Sequence, residues 1–421
     1  MADMFDYLEW YGDFDFQTVP FNEVDNLILA QLSYIKLDGA LTADETLLLS
    51  EAQERVVQAH LRPSQDEGSH GAELDLPDNG PLISSRTNAL LGAMAAAGRR
   101  FQDAHIGWYE SRLSEKDHEQ FAALTVLLPD GSCYLSFRGT DDTLVGWIED
   151  CEISYRIIAA QTDALAYLRR VAKLTCGPFR VGGHSKGGNL AAYAAALAPE
   201  LDARIIEVWC NDSPGFDDAV IPLSTFERLR NRIHLFTPEY SVVGALLSHS
   251  VEPIVINSAG KGVMEHSMVD WQVMRGEIVR GGDIHPGSIR VGKAFQQLLK
   301  SRDIAGRKQF IDELYEACLA HDIHTISDMM GASPLSMHAL TDSLRSLDND
   351  NREAMYDFLW GAMGGAVLGA AEESAAHANK ALMPVREAVS TALAEVRKSG
   401  TEWLEDVRAK AEGRQHSTTT E

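Results

Sequence analysis

The sequence predicts an α/β fold: a largely parallel sheet covered by helices on both faces, followed by a helical C-terminal region. Three observations lead there. Between residues 82 and 286, β-rich apolar runs alternate with helix-period stretches, as crossover helices on a parallel sheet require. Within that region Gly183-His184-Ser185-Lys186-Gly187 sets a serine between glycines, with a strand-like run before it and an Ala-rich run after it. From residue 287 the strand-like runs stop and the pattern turns helical.

The 421 residues exceed the ~250–300 at which a single core stops growing, so an appended region is expected. Residues 1–81 read as an N-terminal helix and loop segment, 82–286 as the sheet domain and 287–421 as a helical accessory region. In order, 22–34 has helical periodicity, and 62–81 is polar with Gly and Pro and reads as a loop. The runs 122–128 and 133–137 flank Pro129-Asp130-Gly131, a hairpin signal. An amphipathic helix over 163–174 precedes a strand at 179–181 and a helix at 189–196. Three more strands follow at 204–210, 232–236 and 253–256. His285-Pro286-Gly287 is a linker signal, 301–303 and 347–350 break the helical third, and 414–421 is polar and expected to fray. The apolar stretch 358–371 is shorter than the ~20 residues that span a bilayer and reads as a helix-packing segment. It and helices such as 383–403 offer a surface for docking on the sheet domain or for self-association.

A net charge of -25 repels nucleic acid and anionic lipid, which excludes both as electrostatic partners. The five cysteines, Cys133, Cys151, Cys176, Cys210 and Cys318, are dispersed without C-x-x-C spacing and read as reduced thiols. With an acidic start, Asp3 to Asp6, in place of a basic and apolar leader, this predicts a cytoplasmic protein with no stable membrane insertion. His321 and His324 lack a third ligand and no P-loop occurs, so neither metal nor cofactor is expected.

The glycine-flanked serine reads as a nucleophile elbow, a strained strand-to-helix turn. Side chains at Gly183 and Gly187 would collide with backbone there, and the first helical N–H groups face a developing oxyanion. The plain alternative is a glycine-rich loop. Upstream, Tyr134-Leu135-Ser136-Phe137-Arg138-Gly139-Thr140 and Trp147-Ile148-Glu149-Asp150 resemble the Phe-Arg-Gly-Thr/Ser and Trp-x-x-Asp patterns of class 3 lipases. That resemblance implies that Thr140 helps form an oxyanion hole with the N–H of Lys186. Adding Asn211-Asp212-Ser213-Pro214-Gly215, Ser241-Val242-Val243-Gly244 and Met264-Glu265-His266-Ser267, the chain resembles bacterial Mbeg-like proteins over 21–273. The resemblance implies an α/β-hydrolase fold and leaves the substrate open.

A serine hydroxyl needs a base and an orienting acid, which in α/β-hydrolases follow in the order Ser, acid, His. Asp212, directly after the strand 204–210, is the first choice of acid. Glu239 is the alternative and occupies the region where class 3 lipases carry theirs, although in the Mbeg-like pattern that position need not be acidic. His266, in a loop before Trp271, is the first choice of base; His249, read as lying at a helix end, competes. His184 is expected to point beneath the turn. The Lys186 side chain is expected in solvent, or else beside the oxyanion hole as a cation. The segment 141–160 is read as either a cover over the cleft or a packed helix. Together these residues predict a serine hydrolase, an esterase or lipase acting on a small-molecule or lipid ester through Ser185, His266 and Asp212. Acyl transfer with the same residues, and a non-catalytic scaffold, are the competing readings.

Overall fold

Eight strands pair side by side in the order in which the chain forms them. β1 (Thr46–Leu48), β2 (His105–Ser114), β3 (Glu119–Leu127) and β4 (Cys133–Phe137) are successive antiparallel neighbours. From β4 onward, β5 (Phe179–His184), β6 (Ile205–Asn211), β7 (Ile233–Pro238) and β8 (Ile254–Ile256) run parallel. The structure, a computed structural model, describes residues 2–63, 72–74, 79–344 and 355. The 133–137 hairpin partner falls where the sequence predicts it. Gly131 closes the turn at φ 83, and Asp130 accepts the Ser132 N–H at 2.9 Å.

Period-2 alternation divides the strands between two cores. On β3 and β4, Leu124, Val126 and Tyr134 face a layer built from α1 (Met4–Tyr11), α2 (Glu23–Leu32), α3 (Leu49–His60) and α4 (Leu90–Ala96). Their neighbours Ala123, Cys133, Leu135 and Phe137 join the opposite core. α5 (Leu144–Glu152) follows β4, and α6 (Ala159–Leu174) and α7 (Lys186–Ala196) cover that second face. Both faces are covered, which is why β4 is buried along its whole length. α2 starts at Asn22, whose side chain accepts the Val24 and Asp25 N–H groups while Asp25 returns to the Asn22 N–H. Every residue of α7 is buried, so its run of alanines is a packing requirement: only small side chains let a helix lie this close to the sheet. The order of strands, the parallel half and the two helical layers make this an α/β-hydrolase fold.

The stretch read as a loop over 62–81 departs from expectation at its borders. Leu61–Pro63 pairs antiparallel with Ala72–Leu74, with Leu61 in register opposite Leu74. Among the described residues four helices follow the sheet: α8 (Pro286–Lys300), α9 (Ile304–Ala320), α10 (Ile326–Gly331) and α11 (Pro334–Ser343). The break at 301–303 is seen, with Asp303 capping α9 through the Gly306 N–H. The segments 347–350, 358–371, 383–403 and 414–421 lie outside the described residues. Among the described residues no helix is long and apolar enough to cross a membrane, and no group of acids, histidines and cysteines is arranged to hold a metal ion. All five cysteines are free.

These helices share a third apolar cluster with the sheet domain. Phe295, Leu298 and Phe310 lie in it with Leu144, Ile148 and Val242. Truncation at Gly287 measures whether 287–421 folds apart. A chain ending there bares several side chains, each worth ~1.5–3 kcal/mol of burial, and the expected result is loss of soluble protein on expression. Soluble protein melting near the full-length temperature would instead make the accessory region separable at the predicted linker.

Candidate active site

β5 ends at His184 and α7 begins at Lys186, so the chain must reverse from extended to helical within one residue. That residue is Ser185, at φ 56 and ψ -133, a conformation that costs a side-chain-bearing residue about 1–3 kcal/mol. The turn fits only because its neighbours lack side chains. A Cβ at Gly187 would meet the Phe137 carbonyl oxygen at 2.0 Å, and one at Gly183 would meet Gly187 backbone at 2.4 Å. Gly139 lies equally close: its Cβ would meet the Tyr34 hydroxyl at 2.2 Å and Ser185 Cβ at 2.9 Å. The Ser185 N–H donates to the Asn211 carbonyl at 2.9 Å. Beneath it, Asn211 Nδ2 donates to the Gly183 carbonyl (3.0 Å) and Asn26 Nδ2 to Asn211 Oδ1 (2.9 Å), tying α2 to the turn.

The structure brings two of the predicted partners together. His266 Nδ1 donates to Asp212 Oδ2 at 2.6 Å, with Asp212 fully buried and His266 6% exposed. With Nδ1 carrying that proton, the Nε2 lone pair is the basic position. Ser241 holds the other oxygen of Asp212 through its hydroxyl, and itself accepts the Gly244 N–H at 2.7 Å. Asp212, like Ser185, has a positive φ, 45, in the sharp turn after β6. His184 points under the elbow, as expected. Its Nε2 donates to the His266 carbonyl at 2.8 Å and its Nδ1 accepts the Tyr34 hydroxyl at 2.8 Å. Burial, reinforced by nearby His266, holds its pKa well below the usual histidine range, so His184 is a neutral strut between the elbow and the His266 loop. No hydrogen bond joins the Ser185 hydroxyl to His266 in this structure; such contacts commonly tighten only with substrate bound.

The alternatives are engaged elsewhere. Glu239 Oε1 accepts the Gly282 N–H at 2.5 Å. His249 Nε2 donates to the Gly244 carbonyl at 3.0 Å. Nor does His249 end a helix: residues 241–250 form bends, because Ser241 caps Gly244 and Phe216 bridges to Ser248 in extended pairing.

The expectation of a solvent-exposed Lys186 side chain is also corrected. Lys186 is fully buried, and Nζ donates to Glu149 Oε2 (2.7 Å), Gln120 O (2.9 Å) and Gln120 Oε1 (3.0 Å). The charge is tolerated there because every ammonium hydrogen has an acceptor and Glu149 is buried with it; removing one partner would cost about 3–5 kcal/mol. Thr140 donates its hydroxyl to Asp150 Oδ2 at 2.6 Å. α5 is a packed helix, with Leu144, Ile148 and Cys151 in one cluster with α8 to α10 residues. Sequence reasoning assigned no role to Tyr34, Ser241, Gln120 or Glu149. The one available signal was a lysine where an elbow takes an apolar residue, which asks for a buried acid.

With the geometry in place, residues 95–316 match the description Mbeg1-like, more than half of the chain. The chain belongs to the Mbeg1-like family. No curated protein matches it. Among solved structures, it is similar to a mutant form of MDLA from Penicillium cyclopium, at 14% identity and a TM-score of 0.35, over 62% of this chain and 86% of that one. It is also similar to a structure described as fungal lipases, at 14% identity and a TM-score of 0.32, over 61% of this chain and 83% of that one. Site details do not transfer at such distances. For this Mbeg1-like chain they rest on its own residues.

Asp150 offers a check on the buried charges. Burial raises its pKa to about 6 against the pull of Lys186 and the Thr140 hydroxyl. Because that lies above the unfolded value of ~3.9, the folded state holds the extra proton between the two, and stability falls as pH rises through about 6. Asp150→Asn cannot titrate. Its melting temperature relative to the unaltered protein is expected to rise by several degrees between pH 4.5 and pH 8, within a ceiling of about 3 kcal/mol. A difference that is the same at both pH values would contradict it.

Proposed function

We propose that this Mbeg1-like protein is a serine hydrolase that cleaves a carboxylic ester through an acyl-enzyme on Ser185. The observation that carries the reading is the 2.6 Å Asp212–His266 bond beside a serine held at positive φ. Asp212 fixes the tautomer in which His266 Nε2 is the base, and Ser241 keeps the carboxylate aimed. His266 takes the Ser185 proton as the hydroxyl attacks the ester carbonyl. It then returns that proton to the leaving alcohol, and water repeats the cycle on the acyl-enzyme. The N–H groups of Lys186, at the start of α7, and of Thr140, three residues after β4, stabilise the oxyanion. A largely water-free setting strengthens those donors: Ser185 and His266 are each only 6% exposed. The helices after Gly287 supply no member of this set.

On a short p-nitrophenyl ester, Ser185→Ala, Asp212→Asn and His266→Ala are each expected to lower kcat by ~10⁴-fold or more, with circular dichroism unchanged. Glu239→Gln and His249→Gln are expected to stay within a few-fold. Undiminished turnover by folded Ser185→Ala protein would overturn the nucleophile, and the larger losses falling on Glu239 or His249 would reassign acid or base.

A further inference from the structure

Adjacent acids on α5 hold the two residues assigned to the oxyanion. Asp150 takes the Thr140 hydroxyl, and Glu149 takes the ammonium of Lys186, the residue directly after Ser185. The second contact is part of a closed set. Lys186 Nζ also reaches both oxygens of Gln120, Glu149 Oε2 also accepts the Gln120 N–H at 3.0 Å, and Glu149 Oε1 accepts the Ala160 N–H at 3.2 Å. Gln120 Nε2 in turn donates to the Gly139 carbonyl at 3.5 Å, one residue before Thr140. Both ends of the hole are thereby referred to one cluster on β3 and α5.

An apolar side chain would fill the place of Lys186 at no desolvation cost, and buried ion pairs add little net stability over well-packed apolar ones. What a fully bonded ammonium adds is a tether: three acceptors on two elements hold the side chain, and through it the start of α7, to β3 and α5. The same peptide unit follows the strained Ser185 linkage, where a small shift would turn the Lys186 N–H off the oxyanion.

We propose that the Glu149–Lys186 ion pair is a positioning device that fixes the Lys186 N–H opposite Thr140, so that the oxyanion hole exists before substrate binds. This rests on the ester-hydrolase reading of Ser185. Neither side chain touches substrate; both act through the backbone they hold.

The test separates position from stability. In the full chain, Lys186→Met combined with Glu149→Gln removes both charges while keeping an amide oxygen for the Gln120 or Ala160 N–H. Melting temperature, kcat and KM on p-nitrophenyl butyrate, and inhibition by butylboronic acid, whose serine adduct carries the tetrahedral geometry, are measured together. The double variant is expected to melt near the unaltered protein, with kcat down about 10- to 100-fold, KM within about threefold, and boronate affinity falling in step with kcat. A double variant of normal melting temperature and normal kcat overturns the proposal, leaving the pair as charge balance alone. Should that variant not fold, Gln120→Met, which removes one Nζ acceptor and the Gly139 contact, decides: a several-fold loss of kcat at constant KM supports the role, and unchanged kcat overturns it. Unaltered protein that neither turns over ester nor binds boronate overturns the reading of Ser185, and the positioning role with it.

Discussion

The close approach of three backbones at the serine turn constrains everything around it. With Phe137 oxygen 2.0 Å from where a Gly187 Cβ would stand, β4, β5 and the start of α7 occupy space that side chains would otherwise keep open. The conformational cost at Ser185 is offset by burial on both sides: the alanines of α7 pack on one face of the sheet, and α2 braces the other through Asn26 and Asn211. The parallel half of the sheet places the ends of β5 and β6 at one edge. Ser185 and Asp212, each at positive φ directly after its strand, meet there with no loop between strand and site.

A second consequence is that the polar groups around the turn are held inside the protein. Tyr34, His184, Ser241, Asp212, Lys186 and Glu149 are all buried and, with the half-buried Asp150, all hydrogen-bonded to protein partners. Buried groups that are partnered in this way keep their orientation, and orientation is what an acyl-transfer site needs from the residues behind its reacting atoms. The N-terminal helices are part of this arrangement. Tyr34, just after α2, fixes His184, and His184 fixes the carbonyl of the residue whose ring faces Asp212.

Strands, elbow and hairpin were legible because each is a local matter of periodicity and glycine placement. The collisions foreseen for Gly183 and Gly187 are those the structure contains. The Asp212–His266 pairing was legible from chain order, since an acid directly after a parallel strand is bound to lie at the edge where the elbow sits. Lys186 was misread because burial of a charge depends on an acid 37 residues earlier in the chain, and no local pattern reports Glu149. His249 was misread for a similar reason: an apolar run ending in His resembles a helix end, but a long-range bridge from Phe216 to Ser248 and the Ser241 cap hold it in bends. Ser241 and Tyr34 carried no signal, being ordinary hydroxyl residues until the fold brings an acid and a histidine to them.

The central claim is that Ser185 is a nucleophile activated by His266 and aimed by Asp212. Reaction of the folded full-length protein with a fluorophosphonate, followed by mass mapping of the adduct, tests it most directly, since it needs no knowledge of the natural ester. The account predicts a single phosphonyl group on Ser185, formed far more slowly in the Asp212→Asn protein. An adduct on another serine, or none on protein shown to be folded, would contradict it.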